Sequence, residues 1–228
     1  MGSYQVETVG TFLSPFKEKF GVPRQPGLAK EIKGRVRIEG DFADPMAFQD
    51  LDKFNYIWLF FIFHQAQRKN WEARVRPPRL GGNKRVGVFA TRSPFRPNSI
   101  GLSLVKLEEV VIDGQSIELV VSGHDLVDGT PVIDIKPYLS ETDSTLDANM
   151  GWLKDNFKEE NLLVQFNEEL KDTFSESLLR EIESYLKLDP RPSFQDDDRV
   201  YINKYHQYDI YWRVKNNIVT VEEIKLLD

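Results

Sequence analysis

A loop with two arginines and two prolines is the stretch of this sequence best suited to chemistry. Residues 86–101 read VGVFATRSPFRPNSIG, and Arg92 and Arg96 alternate there with Pro94 and Pro97. Proline fixes φ and reduces the entropy lost when a loop becomes ordered. We therefore expect a loop that is shaped in advance, and its two guanidinium groups are suited to binding a carboxylate or a phosphate.

Three other polar stretches lie between apolar runs: FGVPRQPGLAK (20–30), FHQAQ (63–67) and HDLVDGTPVIDIKPY (124–138). Loops at strand ends are common places for binding sites. Together the three stretches supply amides, carboxylates and cations, namely Arg24, Gln25, His64, Gln65, Asp125, Asp128, Asp134 and Lys136.

Most enzymatic signatures are missing. The chain has no cysteine, and its three histidines are not spaced as metal ligands. We find no GxSxG elbow, no P-loop and no strand–GxGxxG–helix unit. His124, Asp125 and Asp128 are better interpreted as part of a turn than as a metal cluster, so we predict no metal.

Charge is distributed unevenly. The net charge is -6, but residues 1–138 hold 19 Lys and Arg against 16 Asp and Glu, whereas residues 139–228 hold 11 against 20. Residues 68–96 contain nine basic residues and one acid, with Trp71, Phe89 and Phe95 among them. Such a patch is suited to binding a phosphate backbone and stacking bases; a solvated basic face without a ligand is the alternative.

Alternation of apolar and polar residues predicts mostly strands over residues 1–138, without regular strand–helix alternation. This pattern favours a barrel or curled sheet. Composition shifts within 139–149, and a strand, one amphipathic helix and two or three further strands follow. We predict a mainly β protein with domains at 1–140 and 141–228, the second being a small α+β domain.

We expect a cytoplasmic protein. The most apolar run, YIWLFFIF (56–63), is too short to span a bilayer and is typical of a buried strand. The N-terminus lacks the charged lead-in and apolar run of a signal peptide.

The motifs VPRQPGL, FHQ, RPPRLGGNKRVGVFATRSPFRPNSIGLSLV and DLVDGTPVIDIKPYL occur in this order. Together they resemble the TrmO/TsaA-like tRNA methyltransferases, and the later DPRPSFQ and strand-rich tail extend the similarity over nearly the whole chain. Ser99 stands where the family loop more often has proline, which should loosen the loop slightly.

The resemblance implies a single-sheeted β-barrel that binds S-adenosylmethionine without a Rossmann domain, and a homodimer. It implies N6-methylation of threonylcarbamoyladenosine at position 37, in the anticodon loop of tRNA for threonine. Two alternatives stay open: a non-catalytic RNA-binding barrel, and a methyltransferase acting on another nucleobase or a small molecule.

The resemblance also suggests roles for individual residues. The cofactor carboxylate suits Arg92 or Arg24, and its ribose or ammonium suits Asp125 or Asp128. The adenine suits the amide of Gln25 or Gln65 and nearby backbone, with Leu102 packed on the ring. The implied cofactor residues are Arg24, Gln25, Pro26, His64, Gln65, Arg92, Leu102, Asp125, Leu126, Val127 and Asp128.

For the substrate, Arg96 suits the threonyl carboxylate, and the base that takes the ureido proton is His64 or Asp134. The implied substrate and tRNA residues are Arg76, Arg79, Lys84, Arg85, Arg96, Lys136, Asp189 and Arg191. Structural roles are the alternative: Arg24 and Arg92 bracing loops through carboxylates, Asp134 pairing with Lys136, and Asp189 and Arg191 ending a helix.

Overall fold

A computed structural model describes residues 2–66, 68, 70–80, 84–156, 161–191 and 198–227, with only the backbone described at residues 79, 155 and 156. Its first part is a closed barrel. The six barrel strands are β1 (Gly10–Leu13), β2 (Lys33–Ile38), β3 (Tyr56–Ile62), β6 (Ile100–Asp113), β7 (Ser116–Ser122) and β8 (Thr130–Pro137). A two-stranded ribbon, β4 (Arg74–Val75) and β5 (Val86–Gly87), lies between β3 and β6 in the chain.

The barrel closes in the order β1-β2-β7-β6-β3-β8, and all its strand pairs are antiparallel. Burial alternates along the strands, as in KGRVRI of β2, because successive side chains point to opposite faces. The inward residues form one hydrophobic core that includes Phe12, Val36 and Leu59. The predicted mainly β fold with a barrel is confirmed.

Three local features complete the barrel part. Most of YIWLFFIF forms β3, which ends at Ile62 and, unlike the buried strand predicted, is fully buried on one face only. Residues 86–90 form a two-residue strand followed by a 3-10 turn, Val88–Ala90. The loop of the β6–β7 hairpin consists of Gly114 and Gln115, and Gly114 takes φ +60°.

The second part is a four-stranded sheet with helices against it. After a short helix, α1 (Ser140–Asp143), the chain forms β9 (Leu163–Phe166), α2 (Glu168–Thr173), α3 (Glu176–Leu186), β10 (Tyr201–Tyr205), β11 (Tyr208–Lys215) and β12 (Ile218–Leu226). The strand order is β10-β11-β12-β9, with only the β12–β9 pair parallel. Of the two or three C-terminal strands predicted, the structure has three, and Asn216 and Asn217 form the turn between β11 and β12 with φ of 51° and 61°.

The single amphipathic helix predicted after β9 is wrong, because the stretch forms two helices. Ser175 is extended (φ −64°, ψ 146°), and its hydroxyl accepts a hydrogen bond from the Leu178 N–H at 3.3 Å. A serine that caps a helix in this way ends the preceding one and starts the next. The stop predicted at DPRP is confirmed, since α3 ends at Leu186 and Asp189 has φ 49°.

Residues 16–32 lie in the N-terminal part of the chain but pack into the second core. Phe16, Ala29 and Ile32 are buried together with α3 and with β10–β12. An isolated bridge also pairs Phe16 with Tyr205. The barrel and the second sheet are therefore joined by shared packing, and the domain division near residue 140 stays a prediction.

Close approach of a ring gives a first testable prediction. A Cβ on Gly101 would lie 2.3 Å from two ring atoms of Phe61, which is buried in the barrel. We expect Gly101→Ala to destabilise the fold by about 1–3 kcal/mol, because the ring must move in a packed core. Urea unfolding measures this, and Gly87→Ala is the control, since a Cβ there meets nothing within 4 Å. Equal losses in both variants would contradict the prediction.

Candidate functional site

A cleft of about 1110 Å³ opens between the β4–β5 ribbon and the arginine loop. Its walls come from three regions of the sequence: residues 24–25, residues 68–95 and residues 149–153. The cationic lining residues are Arg24, Arg68, Arg74, Arg76, Arg85 and Arg92. The cleft therefore concentrates positive charge on a chain whose net charge is negative.

Hydroxyl groups shape the arginine loop from within. The Thr91 hydroxyl donates to the Val88 carbonyl at 2.8 Å and accepts from the Ser93 N–H at 3.2 Å, and the Ser93 hydroxyl accepts from the Phe95 N–H at 3.3 Å. Arg96 donates to the Thr91 carbonyl at 3.2 Å. At the far end, the Ser99 carbonyl accepts from the Phe63 N–H at 2.8 Å, so this position is held through its backbone.

A chain of hydrogen bonds runs from this loop to the C-terminal part. Arg92 donates to the Gln25 side-chain oxygen at 2.6 Å, and Gln25 donates to the Arg24 carbonyl at 2.6 Å. Arg24 in turn donates to the carbonyls of Asp189 and Arg191 at 3.2 and 2.7 Å. Thus Arg24, Gln25 and Arg92 come together at the cleft, and Arg24 braces the C-terminal turn.

Asp189 and Arg191 form a two-point ion pair. The Arg191 Nε and Nη2 atoms each lie 2.8 Å from one carboxylate oxygen of Asp189, and Arg191 is buried. Both residues adjoin Arg24, which lines the cleft, but neither lines the cleft itself. Their predicted contact with substrate or a partner's site stays a prediction.

Asp125 is a carboxyl group close to the arginine loop. The Ser103 hydroxyl donates to it at 2.5 Å. Burial raises the pKa of Asp125 to about 6, although the Ser103 hydrogen bond and the Arg92 charge act in the opposite direction. The predicted cofactor residues Arg92 and Asp125 are therefore electrostatic neighbours of opposite charge.

The turn that carries Asp125 is tied to the Pro26 turn. The Gly27 N–H donates to the Gly123 carbonyl at 2.7 Å, which places half-buried Pro26 beside residues 123–128. Leu126 is buried, and the Val127 carbonyl accepts from the Thr130 hydroxyl at 2.6 Å. The structure thus brings the predicted stretches 24–26 and 125–128 together.

Asp128 has a structural environment. Its carboxylate accepts from the Ser14 N–H at 2.8 Å and pairs with Lys17 at 2.8 Å. These contacts occupy both oxygens, so Asp128 serves to hold the turn against the end of β1. The choice between Asp125 and Asp128 as the carboxylate for a ligand stays a prediction.

His124 is a buried base next to this site. Its ring packs against Phe12 at 4.7 Å and Phe16 at 6.1 Å between centroids, and its Nε2 has no hydrogen-bond partner among the described residues. Burial lowers the pKa of His124 to about 4. The ring is therefore neutral at neutral pH.

His64 and Gln65 form a 3-10 turn directly after β3. Lys19 donates to the Gln65 carbonyl. Burial lowers the pKa of His64. The hydrogen bond with the Ile62 backbone raises it and the Lys19 charge lowers it, and burial outweighs the hydrogen bond. A histidine that stays neutral at neutral pH is able to accept a proton, but neither His64 nor Gln65 lines the cleft.

Asp134, Lys136 and Leu102 lie on the barrel outside the cleft. Asp134 and Lys136 pair at 2.7 Å on β8. Leu102 is 47% exposed on β6, and its neighbour Ser103 is buried and faces Asp125. Because adjacent strand residues point to opposite faces, Leu102 does not join Asp125. The structure gives Asp134 and Lys136 the ion pair that was the alternative interpretation.

The remaining basic residues differ in position. Arg76 and Arg85 line the cleft, whereas Lys84 is exposed but not on the lining, and the side chain of Arg79 lies outside the described part of the chain. The guanidinium carbon of Arg96 lies 6.0 Å from the centroid of the Phe89 ring. Substrate contacts by these residues stay predictions.

Sequence reasoning missed one wall of the cleft. Residues 149–153, which follow the predicted boundary stretch 139–149, line it with Met150, Trp152 and Leu153. The Trp152 Nε1–H donates to the Ala90 carbonyl at 2.9 Å. These apolar side chains are visible in the sequence, but no local pattern indicates which surface they pack against.

The described residues offer neither a metal cluster nor a membrane-spanning helix. No group of three or more His, Cys, Asp or Glu side chains there has the geometry to hold a metal ion. Among the helices there, none is long and apolar enough to cross a membrane.

The fold and the site define a β-barrel protein whose loops form a cationic cleft beside a buried carboxyl group. Two family models match it: the tRNA-methyltransferase O N-terminal domain at residues 11–144 and the TrmO C-terminal domain at residues 159–227. The chain belongs to the tRNA-methyltransferase O family.

Individual relatives agree with this family. The chain is 42% identical over 223 residues to a tRNA (adenine(37)-N6)-methyltransferase of Escherichia coli, covering 94% of each protein. A human protein of the same name is 46% identical over 145 residues, or 63% of this chain and 32% of the human one. A crystal structure of TrmO from Pseudomonas aeruginosa superimposes with a TM-score of 0.80 at 32% identity, covering 99% of this chain and 98% of that one.

The raised pKa of Asp125 gives a second prediction. This carboxyl has a pKa of about 6 in the folded chain and 3.8 in the unfolded chain, so the free energy of unfolding falls as the pH rises from 3.8 to about 6. Above pH 6 the loss stays constant. Asp125→Asn should therefore stabilise the fold by about 2 kcal/mol at pH 7.5 and by little at pH 4. Urea unfolding at both pH values measures this.

Asp134→Asn is the control for this experiment, because that carboxylate is about half exposed and ion-paired. Its effect should be small at both pH values. A gain from Asp125→Asn of equal size at pH 4 and pH 7.5 would show that the effect does not come from charge burial.

Proposed function

We propose that the protein is an S-adenosylmethionine-dependent methyltransferase that methylates N6 of adenosine 37 in tRNA. The observation that carries this proposal is the 42% identity, over 94% of both chains, to the Escherichia coli tRNA (adenine(37)-N6)-methyltransferase. A Pseudomonas aeruginosa relative named as a candidate S-adenosylmethionine-dependent methyltransferase, 38% identical over 92% of both chains, supports the cofactor. Since the substrate is tRNA, we place the activity in the cytoplasm.

The residues beside the cleft fit this cofactor. S-adenosylmethionine combines a carboxylate with two cationic groups, and the site offers Arg92 and Arg24 near the carboxyl of Asp125. When bound, the cofactor supplies an electrophilic methyl group for in-line displacement. The part of the protein is to position the reactants and stabilise charge.

Individual residues then have distinct tasks. Arg92 and Arg24 hold the carboxylate of S-adenosylmethionine. Asp125 faces one of its cationic groups, and that positive charge makes it easier for the Asp125 carboxyl to ionise. Hydrogen bonds to the adenine come from the amides of Gln25 and Gln65 and from the backbone around Pro26, Leu126 and Val127. This assignment rests on the family resemblance. Leu102 lies on the outer barrel face with 47% of its surface exposed, and its packing on the adenine ring stays a prediction.

For the substrate we propose threonylcarbamoyladenosine, in tRNA for threonine. Its threonyl carboxylate matches Arg96, which lies in the same loop as Arg92. The ureido proton leaves to His64, which the lowered pKa keeps neutral at neutral pH. Asp134 is the weaker choice, since its carboxylate is neutralised by Lys136.

The tRNA backbone is held by the cationic cleft. Arg74, Arg76 and Arg85 line it on the β4–β5 ribbon, and Lys84 lies next to them. A non-catalytic RNA-binding barrel would use the same residues but would not need Arg92 near Asp125. We favour the enzyme because the carboxyl of Asp125 near Arg92 suits a cofactor that carries both charges, whereas a phosphate backbone alone needs only the arginines.

Nucleoside analysis tests the activity. We expect the purified protein and S-adenosylmethionine to convert threonylcarbamoyladenosine to its N6-methyl form in tRNA from a strain lacking this enzyme, as measured by mass spectrometry. Binding of tRNA without any methyl transfer would support the RNA-binding alternative. Methylation of another nucleoside would show that the substrate is wrong and the reaction class right.

Arg92→Gln tests the cofactor site. Loss of a charge-assisted contact should weaken S-adenosylmethionine binding by about 10- to 100-fold in calorimetry, while circular dichroism stays unchanged. Arg35→Gln is the control, because Arg35 is an exposed barrel arginine paired with Glu118 at 3.1 Å. If Arg92→Gln binds the cofactor as the parent does, Arg92 has a structural or RNA-binding role.

We also propose a homodimer, formed through the outer face of β3 and β6. Tyr56, Ile100 and Leu102 are 39%, 39% and 47% exposed there, which is an apolar surface of the kind that subunit interfaces cover.

Light scattering should give twice the chain mass of 26.5 kDa. Leu102→Glu should yield monomers, and Ile202→Glu, at an equally exposed residue of β10, should not. A monomeric parent protein would contradict the proposal.

A further inference from the structure

Two exposed aromatic rings lie at the mouth of the cationic cleft. Phe89 is 72% exposed and Trp71 is 51% exposed, and their ring centroids are 6.3 Å apart with planes inclined by 33°. Phe89 is part of the cleft lining. Neighbouring exposed rings of this size mark a surface for a ligand rather than a chance feature.

The backbone holds Phe89 outward. Val88 is buried and its N–H donates to the Ala73 carbonyl at 3.0 Å, while the Thr91 N–H donates back to Val88 at 3.1 Å. On the other side of Phe89, the Ala90 carbonyl accepts from Trp152 at 2.9 Å. The exposed ring is therefore presented by a fixed turn and does not result from a slack loop.

The charges around the rings favour RNA as the occupant. Among the residues that the structure describes, five arginines besides Arg24 line the same cleft, and Glu72, the acidic side chain of that lining, is paired with Arg68. An identical cleft of a second copy would bring like charges together, so a symmetric protein contact is disfavoured. Guanidinium groups next to an exposed ring are the combination that binds single-stranded RNA, by phosphate contacts and base stacking.

Phe95 does not share this role. The Arg68 guanidinium lies over its ring at 3.6 Å, and the ring is only partly exposed. Arg96 lies 6.0 Å from the Phe89 ring centre, within reach of a base stacked there. Phe89 and Trp71 thus provide the accessible ring surface of the cleft.

We propose that Phe89, supported by Trp71, is a stacking platform for an unpaired anticodon-loop base next to the adenosine that is methylated. The inference rests on the proposed function, because it takes the anticodon loop as substrate. It makes Phe89 a substrate-positioning residue, distinct from the arginines that hold phosphates. Stacking is nearly independent of salt, whereas phosphate contacts are not.

Salt-dependent binding separates the two kinds of contact. We expect Phe89→Leu to weaken tRNA binding by about 5- to 100-fold without changing the slope of log affinity against log salt. Phe89→Tyr retains a ring and should restore affinity to within about twofold. Arg76→Gln should reduce the slope by about one.

Phe42→Leu is the matched control, since Phe42 is another exposed phenylalanine in a 3-10 turn, outside the cleft lining. It should bind tRNA as the parent does. S-adenosylmethionine affinity, measured by calorimetry, should be unchanged in Phe89→Leu, and the KM for tRNA should rise while kcat changes little.

Three outcomes would overturn the platform. The first is that Phe89→Leu binds tRNA as the parent does, and the second is that its salt slope falls as that of Arg76→Gln does. The third is that it loses self-association in light scattering with tRNA affinity intact. In the third case the ring contacts a second copy. A parent protein that binds no tRNA would instead refute the proposed function, so the two failures are distinguishable.

Discussion

The packing of Phe16 between the two cores is the constraint on which the site depends. Its ring is fully buried, 5.4 Å from Tyr185 and 5.3 Å from Tyr205 in the second core, and 6.1 Å from His124 in the barrel. Its carbonyl accepts from the Asp128 N–H at 2.8 Å. One residue thus fixes the turn that carries Asp125 relative to α3, which the Asp189–Arg191 turn follows.

The cleft follows from that constraint. Once residues 16–32 are shared between the two parts, Arg24 lies close enough to donate to the Asp189–Arg191 turn, and Gln25 meets Arg92. Trp152 then closes a second side by bonding to the Ala90 carbonyl. Residues far apart in the sequence share one site because loops from both parts converge at one end of the barrel.

Local signals in the sequence were enough for much of this arrangement. Alternation predicted the barrel strands because a one-sided sheet needs period-two burial, and the motif order predicted that Arg24, Gln25 and Arg92 belong to one site, which the structure places together at the cleft. The helix at 167–187 was misjudged because Ser175 caps a new helix, an effect of one hydrogen bond. Leu102 and the wall at 149–153 depend on strand facing and on long-range packing, which no local pattern encodes.

His124 and Asp125 are adjacent, and burial moves their proton affinities in opposite directions. Near pH 5 the folded chain holds both uncharged, since the pKa of His124 is about 4 and that of Asp125 about 6. In the unfolded chain, with ordinary values of 6.5 and 3.8, the same two residues form a cation and an anion. Unfolding there amounts to moving one proton from the acid to its neighbour, with almost no exchange with the buffer. The contribution of this pair to the free energy of unfolding therefore changes little with mild acidification, and the turn that carries Asp125 needs no compensating ion there.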